Sequence, residues 1–305
     1  MSQLKKWALL PIALVLAGCA PTTPGVKIDP SLAMLIPSDT VMLAGVRAEA
    51  LQKTPVYQKH LADRKLPPLD DFLKQTGLKD RKDLWELLLI SDGKNTVVLG
   101  RGKFSDEAEP DLKRPGAKRF GYKGFNLVGD DRTAVLLVSP TVAGIGETSA
   151  LKALIDAKDR STGPPAPLAA MMKEIPPEVA VWAAYIGGPV HVPVDLSGNL
   201  ANLNKVLSSI QTGSAYVDLR TAFNGLITGT TAAEKDATTL HDTMQALVGL
   251  GRLSAPKGDP QFPKIFDGIR VTQESTKVNV HIDEPEELVE TMLKNLGFGS
   301  AQPHK

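Results

Sequence analysis

Between residues 41 and 298, short apolar runs alternate with turn residues, and only a few stretches carry apolar residues at helical spacing. The run 41–46 in TVMLAGVRAEAL predicts a buried strand that feeds a helix from about Ala48. Residues 87–91 and 96–103 predict a hairpin, with Asp92-Gly93-Lys94-Asn95 as its turn. A polar stretch around Pro110 allows one short helix. AKRFGYKGFNLVGDDRTAVLLVSP then predicts three short strands with turns at Lys123-Gly124 and Asp130-Asp131. Leu151, Leu154 and Ile155 share one face of a helix over 147–158.

DRSTGPPAP has linker composition, LAAMMKEI predicts a short helix ending at Pro176-Pro177, EVAVWAAYIG a strand, and GGPVHVPV a loop. SAYVDLRTAFNGLITGTT predicts a hairpin with a tight turn near Arg220-Thr221. The longest helix spans 232–252, with Leu240, Met244, Leu247, Val248 and Gly251 at helical spacing. A second hairpin turns at Ser275-Thr276, with Val278, Val280 and Ile282 on one face and Asn279, His281 and Asp283 on the other. The final helix is predicted to begin at Asp283, with Glu286 at capping-box spacing and Leu288, Met292, Leu293 and Leu296 as its buried stripe.

These elements give an α+β fold of antiparallel sheets built from β-hairpins and backed by helices. Hairpin, helix, hairpin, helix in the last third can be matched to the same order over 87–158. That reads as two copies of a ββαββα-like unit, 31–160 and 196–298, joined by a linker over 161–195 that holds a short helix and a strand. A single α+β domain with one meandering sheet is the alternative. Residues 299–305 read as a frayed tail.

The first thirty residues follow a different pattern. Lys5 and Lys6 precede an apolar run from Trp7 to Leu16, broken only by Pro11. About ten apolar residues are too short to span some 30 Å of hydrocarbon, but suit the core of a signal peptide. The run ends in Leu16-Ala17-Gly18-Cys19, which holds the sole cysteine of the chain. This tetrad resembles the lipobox of bacterial lipoproteins. The resemblance implies cleavage between Gly18 and Cys19, a diacylglycerol on the Cys19 sulfur, and an acylated new amino terminus. It further implies a membrane partner reached through the lipid anchor. Ala20, rather than Asp, follows the cysteine. In the family's sorting pattern that points to the outer membrane, facing the periplasm. An ordinary secretory leader with an incidental cysteine is the plainer alternative. APTTPGVKIDPS, rich in proline, reads as a tether over 19–30.

Composition narrows the function classes. Without residues 1–18, 33 of the 35 basic residues face all 34 acidic ones. This balance gives no electrostatic reason to expect nucleic acid as a partner. Aromatics are 5% of the chain, and Trp85 and Trp182 are the tryptophans beyond the leader. That composition disfavours sugar-stacking grooves and base-stacking platforms. With Cys19 lipidated, no thiol remains for a disulfide or a thiolate metal site.

The remaining candidate chemistry is sparse. His60, His191, His241, His281 and His304 lack metal-ligand spacing, and no Gly-x-Ser-x-Gly occurs. His60 reads as solvated on a helix beside Asp63 and Arg64. Gly100 and Gly102 near Lys103 lack phosphate-loop spacing and read as strand or bulge glycines. Asp70-Asp71 and Asp130-Asp131 are adjacent carboxylates, which on a helix or turn point apart into water. Met171 and Met172 with Leu168 read as core filling, with an adaptable binding surface as the alternative. No catalytic set, metal or cofactor is therefore assigned.

Pro37, Asp39, Thr40 and Gly45 in IPSDTVMLAGV, with VAVWAAY later, resemble a group of uncharacterised bacterial envelope proteins. That group brings no activity with it. The expected function is a non-enzymatic, membrane-anchored envelope lipoprotein that binds or helps assemble another envelope component, such as an envelope protein. A carrier or sensor of an apolar ligand such as lipid is one alternative, on the apolar faces of the 232–252 and 284–296 helices. A hydrolase with an unrecognised site is the other.

Overall fold

A computed structural model describes residues 25–104, 117–187, 208–254 and 260–295. Cys19 with its leader, the Pro110 stretch, His191 and His304 lie outside the described residues.

Among the described residues twelve strands form one continuous sheet, antiparallel at every pairing. The first half contributes β1 (Met42–Val46), β2 (Leu84–Ser91), β3 (Thr96–Gly102), β4 (Lys118–Tyr122), β5 (Phe125–Gly129), β6 (Thr133–Ser139) and β7 (Val142–Glu147). The second contributes β8 (Val181–Ile186), β9 (Ile210–Asp218), β10 (Phe223–Thr231), β11 (Ile269–Glu274) and β12 (Lys277–Glu284). Across the sheet the order is β11-β12-β10-β9-β8-β1-β2-β3-β7-β6-β5-β4.

The two halves read alike from the centre outward. One runs β1-β2-β3-β7-β6 and the other β8-β9-β10-β12-β11. Each has a three-stranded meander and a hairpin whose second strand returns to the third strand of the meander, and in the first half β4 and β5 come between the two in the chain and extend the sheet beyond β6. The halves meet where β1 pairs antiparallel with β8, with Ala44 opposite Ala183. Ile36-Pro37 stands as far before Ala44 as Ile175-Pro176 stands before Ala183, and both isoleucines are buried. Each half thus has three strands before this hairpin, one more than the sequence pattern shows. The extra strand is β1 or β8, and these two pair with each other.

Helices cover the two faces unequally. α1 (Pro30–Ala33), α5 (Thr148–Ala157) and α6 (Ala166–Met172) pack on the face that carries Leu43, Leu88, Leu99, Leu136 and Trp182. Their own contribution is Leu32, Leu151, Leu154, Leu168 and Met172, so Met172 fills the core as expected, while Met171 packs partly buried against it. The opposite face receives α4 (Pro67–Thr76), whose Phe72 and Leu73 meet Leu87, Val98 and Ile145. Gly100 is needed there, because a Cβ would lie 2.7 Å from Phe72 Cε1 and closer still to Cζ.

On that same face the second half is covered by α7 (Glu234–Leu253) and α8 (Glu286–Asn295). Ala237, Leu240 and Met244 of α7 rest on Ile210, Val271 and Val278. Val289 and Leu293 of α8 close on Val56 of α3 (Pro55–His60) and on Leu219, with Leu51 of α2 (Ala48–Gln52) packed against them. Direct packing thus takes up the first half of the apolar face of α7, while Leu250 and Leu253 near its end are exposed.

Two local expectations change. Strand β12 runs through Glu284, so α8 starts at Glu286 and Asp283 is not its cap. Asp283 instead meets Arg270 at 3.1 Å across the β11–β12 ladder. Strand β7 was hidden from the pattern by Gly144 and Gly146. Gly144 fits because a Cβ there would lie 2.7 Å from Leu99 Cδ2.

Candidate functional site

The β4 end of the sheet carries an unusual surface. Alternation along KRFGY puts Phe120 and Tyr122 on the α5 side, and Phe125 follows across the Lys123-Gly124 turn. Lys123 and Gly124 both adopt positive φ in this turn, at 46° and 83°. Such a two-residue turn with both centres left-handed suits a hairpin's twist. It leaves the lysine side chain at the rim.

α5 then supplies further cations. Lys152 Nζ lies 5.7 Å from the Phe120 ring centre and 5.4 Å from that of Tyr122. Lys158 Nζ lies 5.1 Å from the Phe125 centre, and Lys123 Nζ 5.7 Å from Tyr122. Each is within cation–π range. Asp156 organises the middle of the group. It meets Lys123 Nζ at 2.7 Å and accepts from the Tyr122 hydroxyl at 3.0 Å. The hydrogen bond from Lys123 holds the Asp156 carboxyl below its ordinary range, and Asp156 in turn raises the Tyr122 phenol. Lys118 and Arg119 lie exposed on the same edge strand.

Clefts among the described residues open elsewhere. One of about 480 Å³ lies among Pro37, Asp39, Thr40, Asp92, Ser149 and Arg160. Its Asp92 carboxylate is committed to the β2–β3 turn, accepting from Lys94 N at 2.7 Å and Asn95 N at 2.6 Å. Another, about 670 Å³, lies beside α6 among Val26, Ile28, Ala33, Ala169 and Met172. Its lining is mainly apolar.

The histidines and carboxylates singled out by sequence are not brought together. His60 is not solvated: its side chain is 18% exposed and lies between Glu286 at 3.6 Å and Glu290 at 3.4 Å. The buried Arg64 pairs with the same Glu290, and Lys59 meets Glu286 at 2.7 Å, so α3 and α8 are joined by charge. Asp70 pairs with Arg81, Asp130 caps the β5–β6 turn, and His241 lies 3.0 Å from its neighbour Asp242. Among the described residues no group of three His, Cys, Asp or Glu is placed to hold a metal. Among them, too, no helix is long and apolar enough to cross a membrane.

Sequence reasoning missed two buried carboxyls that burial raises above their ordinary range, Glu86 in β2 and Glu284. Glu284 is 2% exposed at the end of β12. Burial pushes its pKa up to about 7, with Asp267 and Asp283 adding to the rise. The folded state keeps this proton up to about pH 7, whereas the unfolded chain loses it near the ordinary 4.5. Stability therefore falls as pH rises from 4.5 to 7 and is flat above that. Glu284→Gln is expected to match the wild type near pH 4. It should exceed it by about 2 kcal/mol at pH 8, allowing for partial solvation of the carboxyl. Urea unfolding at the two pH values checks this, and an equal gain at both would show that charge is not the cause.

No family model matches the chain. No curated protein matches it either. Among solved structures it is similar to TP0453. Crystal form I aligns over 88% of this chain and 98% of that one, at 11% identity and TM-score 0.51. Crystal form III aligns over 88% and 99%, at 10% identity and TM-score 0.52. At such identities the likeness speaks for the fold.

Proposed function

We propose that the protein is a lipid-anchored bacterial envelope protein that works by binding another envelope component and performs no chemistry of its own. The observation that carries this reading is Leu16-Ala17-Gly18-Cys19 at the end of a short apolar run. The anchor is Cys19, with Gly18 as the last residue of the leader, and the compartment is the outer membrane on its periplasmic side. The body supports a binding role. Its ionisable clusters are engaged in joining elements: α3 to α8 through His60, Arg64, Glu286 and Glu290, and α5 to the β4–β5 turn through Asp156.

A carrier of apolar ligand is the second reading, favoured by the mainly apolar cleft beside α6. Crosslinking in the native host tests the first. Wild type is expected to capture a defined envelope protein and Cys19→Ala to lose it, because the tether no longer holds the body at the membrane. Capture of no protein by either form, with co-purified lipid in both, would favour the carrier instead.

A further inference from the structure

We propose that the outer edge formed by β4, β5 and α5 is a docking surface for anionic lipid headgroups, so that the body lies against the membrane by this edge. The inference rests on the reading that the body sits beside a membrane, and it concerns the body rather than the anchor. Three aromatic rings, Phe120, Tyr122 and Phe125, stand half-buried at the end of the sheet under three lysines. Amphipathic rings flanked by lysines suit the boundary between headgroups and water.

The charge is local. Lys118, Arg119, Lys123, Lys152, Lys158 and Arg160 stand along this end of the sheet against Asp130, Asp131, Asp156 and Asp159, and the lysines over the rings face away from the Asp130 turn. Lysines on an edge strand commonly guard it against pairing with another sheet. Guarding explains Lys118, and the ion pair with Asp156 accounts for Lys123. Neither explains Lys152 and Lys158, which come from α5 and its following turn and rest over rings on the face of the sheet. Those two point to a partner that presents negative charge to a face, which is what a headgroup layer does. Each lysine near an anionic surface contributes about 1 kcal/mol.

The test uses the full mature chain bearing Cys19→Ser, so that no acyl chain contributes. Vesicles of phosphatidylethanolamine with phosphatidylglycerol are expected to sediment this protein, and phosphatidylcholine vesicles to leave it in solution. Lys152→Glu with Lys158→Glu should weaken the anionic binding at least about tenfold, on the same 1 kcal/mol scale, with thermal unfolding unchanged. Lys94→Glu with Lys235→Glu, exposed elsewhere, should retain it. Equal binding to both vesicle types, equal binding by both double variants, or no binding overturns the proposal. So does pairing of an extended acidic peptide along β4 with no vesicle binding, which would make the edge a strand-addition site. A protein that binds vesicles by this edge but is not acylated in its host would separate this result from a failure of the anchor.

Discussion

Gly45→Ala is expected to destabilise the protein by about 3 kcal/mol, at the upper end of the cost of overpacking a well-filled core. Gly45 lies in β1 opposite Trp182 of β8, at the join between the two halves of the sheet. A Cβ there would fall 2.6 Å from Trp182 Cζ2 and closer still to Cε2 and Nε1. The indole cannot step aside. It is 2% exposed and packed within the main core. The backbone cannot step aside cheaply, since β1 is paired on both edges, to β2 and to β8. Trp182→Leu alone should cost about 3 kcal/mol through the cavity it leaves. Combined, the two substitutions should cost clearly less than their sum, because the smaller side chain makes room for the new methyl. Urea unfolding of the four proteins reads this coupling, and strict additivity would mean that the contact does not set the geometry of the join.

The second large effect concerns location. On the proposed reading, wild type partitions wholly with the membrane and Cys19→Ala appears in the soluble fraction after a carbonate wash. Each acyl chain contributes about 0.8 kcal/mol per buried CH₂, and two or more chains give stable anchoring where one does not. The variant keeps only the apolar run 7–16, too short to span the hydrocarbon. The edge of β4 and α5 would leave it with a weak, salt-sensitive attachment. High salt should therefore strip the variant and leave the wild type in place.

Much of the fold is legible in local pattern because the turns carry their own chemistry. Asp92 accepts from Lys94 and Asn95 as the residue types suggest, and Gly93 takes φ 87°. The β11–β12 turn falls at Ser275, at φ 50°. The stripe Leu151, Leu154, Ile155 is buried as read. What stays hidden is non-local. Nothing near Ala44 announces that Ala183 will lie opposite it, so one sheet cannot be told from two. The α8 start was misplaced because Asp283 and Glu286 offer a capping box, while β12 pairing with β10 extends the strand to Glu284.

The candidate site was illegible for the same reason. Lys123-Gly124 reads as a turn and Lys152 as the polar face of a helix, and only the packing of α5 beside β4 brings cations over rings. Phe120 and Tyr122 in alternation between Lys118, Arg119 and Lys123 were the available signal. His60 shows the converse. It reads as solvated beside Asp63 and Arg64, yet α8 arrives from the far end of the chain to enclose it between Glu286 and Glu290.

The account turns on Cys19. The most direct measurement is the intact mass of the protein extracted from its host's membranes, with its amino-terminal peptide sequenced by fragmentation. The account predicts a chain that starts at Cys19 and carries a diacylglyceryl group on sulfur and an acyl group on its amino nitrogen. A chain that starts elsewhere, or one with an unmodified Cys19, would contradict it.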